Sequence, residues 1–177
     1  MNAASRALPQ GHRCVSVALD IQAAYNSVDH TALLWKLMRW NIPQYLVAWI
    51  RGFLHERVAS LLVNDMMTQV SVRVGVPQGS PLSPLLFTVF INDLVEGLAQ
   101  RSLVSAFADD VLIWDVVSTS VGTPGRVQDA LAYIEDWSAT WGLVFDVAKC
   151  KALDVTSWRR VERLHLRLGD QTIPQID

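Results

Sequence analysis

The sequence predicts an α+β fold in which helices cover one face of an antiparallel sheet. Segments with strand-like alternation occur at 14–20, 57–63 and 68–74 and on both sides of Asp109-Asp110. Helical patterns lie between them. The resulting order is strand, helices, hairpin, helix, strand–turn–strand, helix and strand, which is typical of α+β domains.

Composition limits the classes of protein to consider. The 177 residues predict one domain, and a hydrophobic content of 51% supplies its core. A free-standing nucleic-acid binder is usually more basic than a chain with a net charge of −2. Either nucleic acid is not the partner, or the basic surface is local or lies outside this chain. The segment 159–167 is the one local concentration of basic residues.

Cysteine usage and hydropathy give the expected compartment. Cys14 and Cys150 lie far apart without metal-type spacing, which indicates reduced thiols in an intracellular protein. No signal peptide is recognisable, and no apolar run approaches the roughly 20 residues that span a bilayer. The apolar run after Pro84 is interrupted by Asn92 and Asp93. We therefore expect no membrane association.

The first strand, 14–20, ends in a carboxylate. Its large residues, Val15, Val17 and Leu19, alternate with small ones, and Asp20 shares the face of the small residues. An acid at the end of a strand, on a face without bulk, is placed to meet a ligand. The alternative is that Asp20 caps the following helix.

Apolar spacing predicts four helices. They run over about 31–40, from Pro43 onward, over about 84–98 and over about 126–141. Thr31 is the expected cap of the first. The second should bury the stripe Tyr45, Leu46, Trp49, Ile50 and Phe53. The hairpin of 57–63 and 68–74 follows, joined by the short connection 64–67.

The segment 75–84 is a loop, because its two glycines and three prolines exclude a regular element. Such a loop presents backbone N–H groups and lets a ligand approach closely. Gln78 adds a side-chain donor and acceptor, and Ser83 and Pro84 are expected to begin the next helix. The alternative is a plain strand-to-helix connector.

The adjacent acids Asp109 and Asp110 lie between two apolar, strand-like runs. Their repulsion near buried segments is costly unless a cation relieves it. The alternative is an exposed hairpin turn, since Asp is common in turns. If Asp20 ends a neighbouring strand, three carboxylates converge on a site for two divalent cations about 4 Å apart, suited to phosphoryl transfer. A carboxylate acid–base hydrolase fits less well, because its two acids need separate environments.

Four motifs together resemble the reverse transcriptase domain of non-long-terminal-repeat, LINE-type, retrotransposons. They are Asp20 to Tyr25, like the family's first metal-binding motif; Val76 to Pro84, like its template-and-nucleotide loop; Phe107 to Asp110, like its aromatic-Ala-Asp-Asp box; and Trp141 to Lys149, like the next motif. They occur in the family's order.

The resemblance implies a polymerase palm-like sheet with part of the fingers. It implies an RNA-directed DNA polymerase that adds deoxynucleotides to a primer 3′-OH by two-metal nucleotidyl transfer. RNA template, DNA primer and deoxynucleoside triphosphates would be its partners, and two Mg²⁺ ions, with Mn²⁺ as a substitute, its cofactors. Its location would be intracellular, in the nucleus or the cytoplasm.

The resemblance also assigns roles. Asp20 and Asp109 would be the main metal ligands, with the Ile21 carbonyl assisting and Asp110 as a weaker ligand. Tyr25 would be a steric gate against ribonucleotides. Lys149 would reach the phosphates and protonate the leaving pyrophosphate. The loop residues that would border the nascent base pair and nucleotide are Pro77, Gln78, Gly79 and Ser80.

Two departures from the family affect the expected organisation. Asn26 stands where the family often has Asp. Fingers strands are expected before residue 14 and a thumb after residue 177, so 1–177 is predicted to be a single, partial palm domain. The alternative function is a truncated, catalytically inactive remnant that acts at most as a binding or structural domain.

Overall fold

The computed structural model describes residues 12–118, 125–156 and 163–176. The chain divides into two compact units. The sheet unit comprises 1–22, 93–140 and 144–177, and the helical unit comprises 23–92 and 141–143. Residues 119–124 lie outside the described residues, and so do residues 159–162 of the basic segment. A single palm domain over 1–177 stays a prediction.

The elements follow the predicted order. The helices are α1 (His30–Arg39), α2 (Gln44–Leu54), α3 (Leu82–Ala99) and α4 (Gly125–Trp141). The strands are β1 (Arg13–Leu19), β2 (Arg57–Val63), β3 (Met66–Val72), β4 (Leu103–Phe107), β5 (Asp110–Val117), β6 (Lys151–Thr156), β7 (Arg167–Leu168), β8 (Gln171–Thr172) and β9 (Gln175–Ile176). The predicted α+β class is confirmed.

The sheet unit is built on one five-stranded sheet. Its order is β4-β5-β1-β6-β9, and all neighbours are antiparallel except β6 and β9. β1 is central because its alternation suits a strand with one buried face: Val15, Val17 and Leu19 are buried. Asp20 follows on the opposite, more open side, as predicted.

Helix α4 covers the buried face of this sheet. Its buried residues recur at helical spacing: Val127, Ala130, Leu131, Ile134 and Trp137. Near its start, Arg126 lies 3.6 Å from the carboxylate of Asp115, which is buried on β5 opposite Val15. On the other face Ala18, Leu112 and Val116 are exposed, so this face is open.

The helical unit contains α1, α2, the β2–β3 hairpin and the first part of α3. Thr31 does not cap α1. Instead Asp29 precedes the helix and its side chain accepts the Ala32 N–H at 2.7 Å. The hairpin connection is the two-residue turn Asn64-Asp65, shorter than predicted, and both residues have positive φ.

The buried stripe predicted for α2 was wrong except at Ile50. The helix buries Val47, Ile50 and Leu54, whereas Tyr45 and Trp49 are 72% and 59% exposed. Apolar residues surround this helix almost completely. Two overlapping stripes therefore fit its spacing, and only tertiary packing selects between them.

Helix α3 is long and apolar enough to cross a membrane by length and composition alone. The expectation that no segment reaches this length and apolarity is therefore not met. A core helix passes the same test, and several of this helix's apolar side chains are buried in the protein: Leu86, Phe87, Phe90, Ile91, Leu94 and Leu98.

Candidate active site

The acidic residues Asp20, Asp109 and Asp110, together called the carboxylate edge, lie at the same end of the β1–β5 strand pair. The last pair of the β1–β5 ladder joins Leu19 to Val111. The next residues outward are Asp20 and Asp110, so the register brings them side by side. Asp109 belongs to the adjoining β4–β5 turn. The predicted juxtaposition of two elements is therefore present.

The β4–β5 turn holds Asp109 at an exposed hairpin tip. Phe107 pairs with Asp110, which leaves Ala108 and Asp109 as the two turn residues. Ala108 has a φ of 52°, the sign that two-residue hairpin turns require. Such a conformation costs a non-glycine residue about 1–3 kcal/mol, and it persists because the paired strands determine it.

The backbone of Asp20 is fixed on the β6 side. Its N–H donates to the Cys150 Sγ at 3.4 Å, and its carbonyl accepts the Asp146 N–H at 2.9 Å. Gln22 also donates toward this side, to the Val144 carbonyl. The two bonds between backbone groups flank the bridge between Ile21 and Phe145, so the backbone groups of Ile21 point away from Phe145, toward the β5 side. That is the side of Asp109 and Asp110.

Lys149 lies between two carboxylates. Its Nζ is 3.6 Å from an Asp20 oxygen and 3.5 Å from an Asp146 oxygen. The sequence reasoning assigned Lys149 to the site but missed Asp146 and Cys150. The spacing of three residues between Asp146 and Lys149 was a usable signal, since it favours contact in a tight turn.

Within 12–118, 125–156 and 163–176, no three His, Cys, Asp or Glu side chains form a group able to hold a metal ion. The carboxylate edge is therefore a shared sheet edge and not a closed cage of three ligands. Repulsion among like charges opposes a tighter cluster. Asp20 is moreover already accompanied by the ammonium group of Lys149.

The helical unit contains the nucleotide-loop candidates. A cleft of about 470 Å³ is lined by Tyr25, Gln78, Gly79, Ser80, Pro81, Ser83 and Pro84. The structure thus brings Tyr25 together with three of the four predicted loop residues. The Tyr25 ring stacks on the buried Phe87 at a centroid distance of 5.0 Å, which limits its movement.

Hydrogen bonds shape the loop around the cleft. The fourth residue, Pro77, accepts a hydrogen bond from the Ser83 hydroxyl through its carbonyl. Ser83 therefore holds the loop together. It does not begin the helix as predicted, because α3 starts at Leu82. Ser80 accepts the Leu82 N–H instead. Gln78 donates to the side chain of Asn26 at 3.2 Å. The family's usual Asp at that position would also accept this bond.

A comparison with models of protein families shows to which family this chain belongs. The model of the reverse transcriptase (RNA-dependent DNA polymerase) family matches residues 3–161. The chain belongs to this family. Its curated relatives assign it to the domain found in LINE-type retrotransposons, as the motifs predicted.

The relatives are named RNA-directed DNA polymerases or retrotransposon polyproteins. The chain is 30% identical over 158 residues to the polymerase of mobile element jockey from Drosophila melanogaster, covering 85% of the chain and 17% of the relative. It is 27% identical over 153 residues to the R2 polyprotein of Popillia japonica, covering 80% of the chain and 24% of the relative. The chain spans a minor part of these longer proteins.

Solved telomerase structures share the fold of this reverse transcriptase domain. The telomerase of Candida albicans, solved with a fragment of telomeric RNA, matches with a TM-score of 0.64 and 12% identity, over 88% of this chain and 28% of that one. A truncated apo telomerase of Candida tropicalis gives a TM-score of 0.59 at 12% identity, over 89% and 33%. The palm-like fold prediction is thereby confirmed.

Proposed function

We propose that this domain performs RNA-templated DNA synthesis as the palm of a retrotransposon reverse transcriptase. The observation that supports this most directly is the β1–β5 register, which brings Asp20 beside the Asp109-Asp110 turn in a member of this family. RNA template, DNA primer and deoxynucleoside triphosphates are the proposed partners, in an intracellular setting. Because the chain spans 17% of the jockey polymerase, the activity is proposed for the domain in a whole polymerase.

The donor set fits a hard divalent cation. All candidate ligands are oxygens: the side chains of Asp20, Asp109 and Asp110 and the carbonyl of Ile21. Mg²⁺ binds through one or two carboxylates plus substrate phosphates, so an open edge suits it better than a closed cage. Mn²⁺ accepts the same ligands. A bound pair would lower the pKa of the primer hydroxyl and stabilise charge on the leaving pyrophosphate.

The residues of the chain then have distinct tasks. Asp20 and Asp109 hold the cations, and Asp110 assists from the start of β5. Lys149 is 64% exposed and has a flexible stem, so it can approach phosphates and donate a proton to pyrophosphate. These assignments follow the family motifs residue by residue.

The cleft of the helical unit has the shape and chemistry for nucleotide selection. Tyr25, held against Phe87, is a rigid gate whose ring would clash with a 2′-OH. Gln78, Gly79 and Ser80 line the same cleft and, with Pro77, would border the base pair. Gly79 has a φ of 89° and open space around it, so template or nucleotide can approach its backbone closely.

The test is primer extension by a chimaera in which 12–176 replace the matching segment of the jockey polymerase. Extension of a DNA primer on an RNA template, with Mg²⁺ and deoxynucleotides, is expected, and Asp109→Ala should abolish it. Asp170→Ala, an exposed acid of the β7–β8 turn, is the matched control and should leave extension intact. Activity that survives Asp109→Ala would reject the proposed carboxylate site. A folded chimaera that never extends the primer would reject the proposed activity and favour an inactive remnant.

A further inference from the structure

Lys149 forms a three-residue charge cluster with Asp20 and Asp146 in the sheet unit. Its ammonium is almost equidistant from Asp20 and Asp146, at 3.6 and 3.5 Å. Both distances exceed those of direct N–H···O hydrogen bonds. Neither carboxylate therefore holds the ammonium tightly, and a small movement can transfer it from one to the other.

The two carboxylates, in contrast, are attached to well-bonded backbone. The Asp146 N–H donates to the Asp20 carbonyl, and the Asp146 carbonyl accepts the N–H groups of Lys149 and Cys150 at 3.0 Å each. Asp146 thus organises the turn that carries Lys149. The lysine has a flexible four-carbon stem, so it is the part that moves.

We propose that Lys149 is an internal counter-ion of Asp20 that leaves when Asp20 ligates a divalent cation, and that Asp146 receives it. This inference depends on the proposed function, in which Asp20 is a metal ligand. A positive ammonium at 3.6 Å and a divalent cation on the same carboxylate repel each other. Movement to Asp146 relieves this repulsion while it keeps Lys149 near the edge. Asp146 is then a positioning residue for Lys149.

The proposal has consequences for metal affinity that a purely structural ion pair would not have. Removal of the ammonium should free Asp20 and tighten metal binding. Removal of the Asp146 charge should leave Asp20 as the carboxylate that holds Lys149 among the described residues, and should therefore weaken metal binding. The effect of Asp146 should disappear once Lys149 is gone, because it acts through the lysine.

The experiment measures Mn²⁺ binding to the whole chain by electron paramagnetic resonance, with unfolding curves confirming that each variant folds. Lys149→Met should bind Mn²⁺ about 3- to 10-fold more tightly, and Asp146→Asn about 2- to 5-fold more weakly. The double variant should match Lys149→Met. Should Lys149→Met fold poorly, Lys149→Gln makes the same test. Lys151→Met is the matched control, because Lys151 donates to the Ala148 carbonyl and is nearby; its affinity should change less than 2-fold.

The possible outcomes separate this inference from the proposed function. Asp20-dependent binding that Lys149→Met leaves unchanged, or shifts no more than Lys151→Met does, overturns the inference alone. An Asp146→Asn effect that persists without Lys149 also overturns it. If Asp20→Asn does not alter Mn²⁺ binding at all, both the metal site and the inference fail.

Discussion

The thiol of Cys150 accepts a hydrogen bond from the backbone N–H of Asp20 across the edge of the sheet, at 3.4 Å. Cys150 is fully buried and directly follows Lys149. The buried sulfur of Cys150 therefore fixes the backbone of Asp20, a proposed metal ligand. Cys150 is also the neighbour in sequence of Lys149, the proposed proton donor. This contact makes Cys150 a support of the carboxylate edge.

Replacement of Cys150 should separate its packing from its hydrogen bond. Cys150→Ala removes the acceptor, and we expect a loss of about 1–3 kcal/mol in the free energy of unfolding because the Asp20 N–H loses its partner. Cys150→Ser keeps an acceptor and should lose less. Urea unfolding of both variants measures the difference. Equal losses would mean that the sulfur contributes through packing alone.

Both cysteines should make the protein less stable at high pH. Burial is the main cause that raises the pKa of the Cys14 and Cys150 thiols above their ordinary value of 9.0. The folded chain therefore holds these protons more tightly than the unfolded chain does. As the pH rises through 9 the unfolded chain loses its thiol protons first, so the free energy of unfolding falls.

The measurement compares urea unfolding at pH 7.5 and pH 10. The wild-type chain should lose more stability across this interval than the double variant Cys14→Ser, Cys150→Ser, whose hydroxyls do not titrate there. Tyr133, whose pKa burial also raises, is present in both chains and cancels. An equal loss in the two chains would contradict the prediction.

Gly75 and Gly79 allow a matched test of the loop. Both have positive φ, 81° and 89°. A Cβ at Gly75 would lie 2.8 Å from the backbone of Asn26, whereas Gly79 has open space. Gly75→Ala should therefore cost clearly more than the roughly 1 kcal/mol of strain expected for Gly79→Ala. Thermal unfolding of the two variants measures the two losses of stability. Equal losses would show that the backbone strain of a positive φ, and not the contact with Asn26, determines the effect.

The local patterns of the sequence were sufficient to predict the elements that carry the carboxylate edge. Alternation located β1 and hence Asp20 at its end, and two adjacent acids between apolar runs located the β4–β5 turn. The glycine–proline loop was recognisable for the same reason: its composition excludes regular structure. Such signals are carried by neighbouring residues, so a single sequence contains them.

The remaining features depend on partners far apart in sequence. The Cys150 sulfur meets Asp20 across 130 positions, and no spacing rule connects them. Gly75 is needed because the backbone of Asn26 passes against it. The buried side of α2 was predicted wrongly because helical spacing could not tell which of two apolar stripes meets the core. Asp146 was missed because its proposed role depends on its contact with Lys149, which the turn between them creates.

A buried ion pair at the far end of β1 should stabilise the sheet. Arg13 is fully buried and donates from Nε and Nη2 to the two oxygens of Asp154, at 2.9 and 2.8 Å. Asp154→Asn removes a carboxylate bound through two hydrogen bonds to this buried guanidinium, and we expect a loss of about 3–5 kcal/mol in the free energy of unfolding. The exposed pair Arg167–Asp170, at 3.8 Å, supplies the control: Asp170→Asn should cause no measurable change in urea unfolding. A loss below 1 kcal/mol for Asp154→Asn would contradict the prediction.

Lys36 offers a second test of buried charge, in the helical unit. It is 3% exposed, and its Nζ donates to the Phe90 carbonyl at 2.6 Å. The same Nζ lies 3.8 Å from the centroid of the Trp141 ring and 4.5 Å from that of Phe90. The carbonyl and the faces of the two rings solvate the ammonium in place of water, so its burial should be favourable.

Two substitutions distinguish the charge of Lys36 from its volume. Lys36→Ala removes both and should cost about 2–4 kcal/mol, including the cavity it leaves. Lys36→Met keeps most of the volume but loses the hydrogen bond and the cation–π contacts, so a cost of about 1–2 kcal/mol is expected. Urea unfolding at neutral pH measures both. If Lys36→Met is as stable as the wild-type chain or more so, the prediction fails. The desolvation cost of the ammonium then equals or exceeds the stabilisation from the rings and the carbonyl. Buried ion pairs that apolar residues can replace behave in this way.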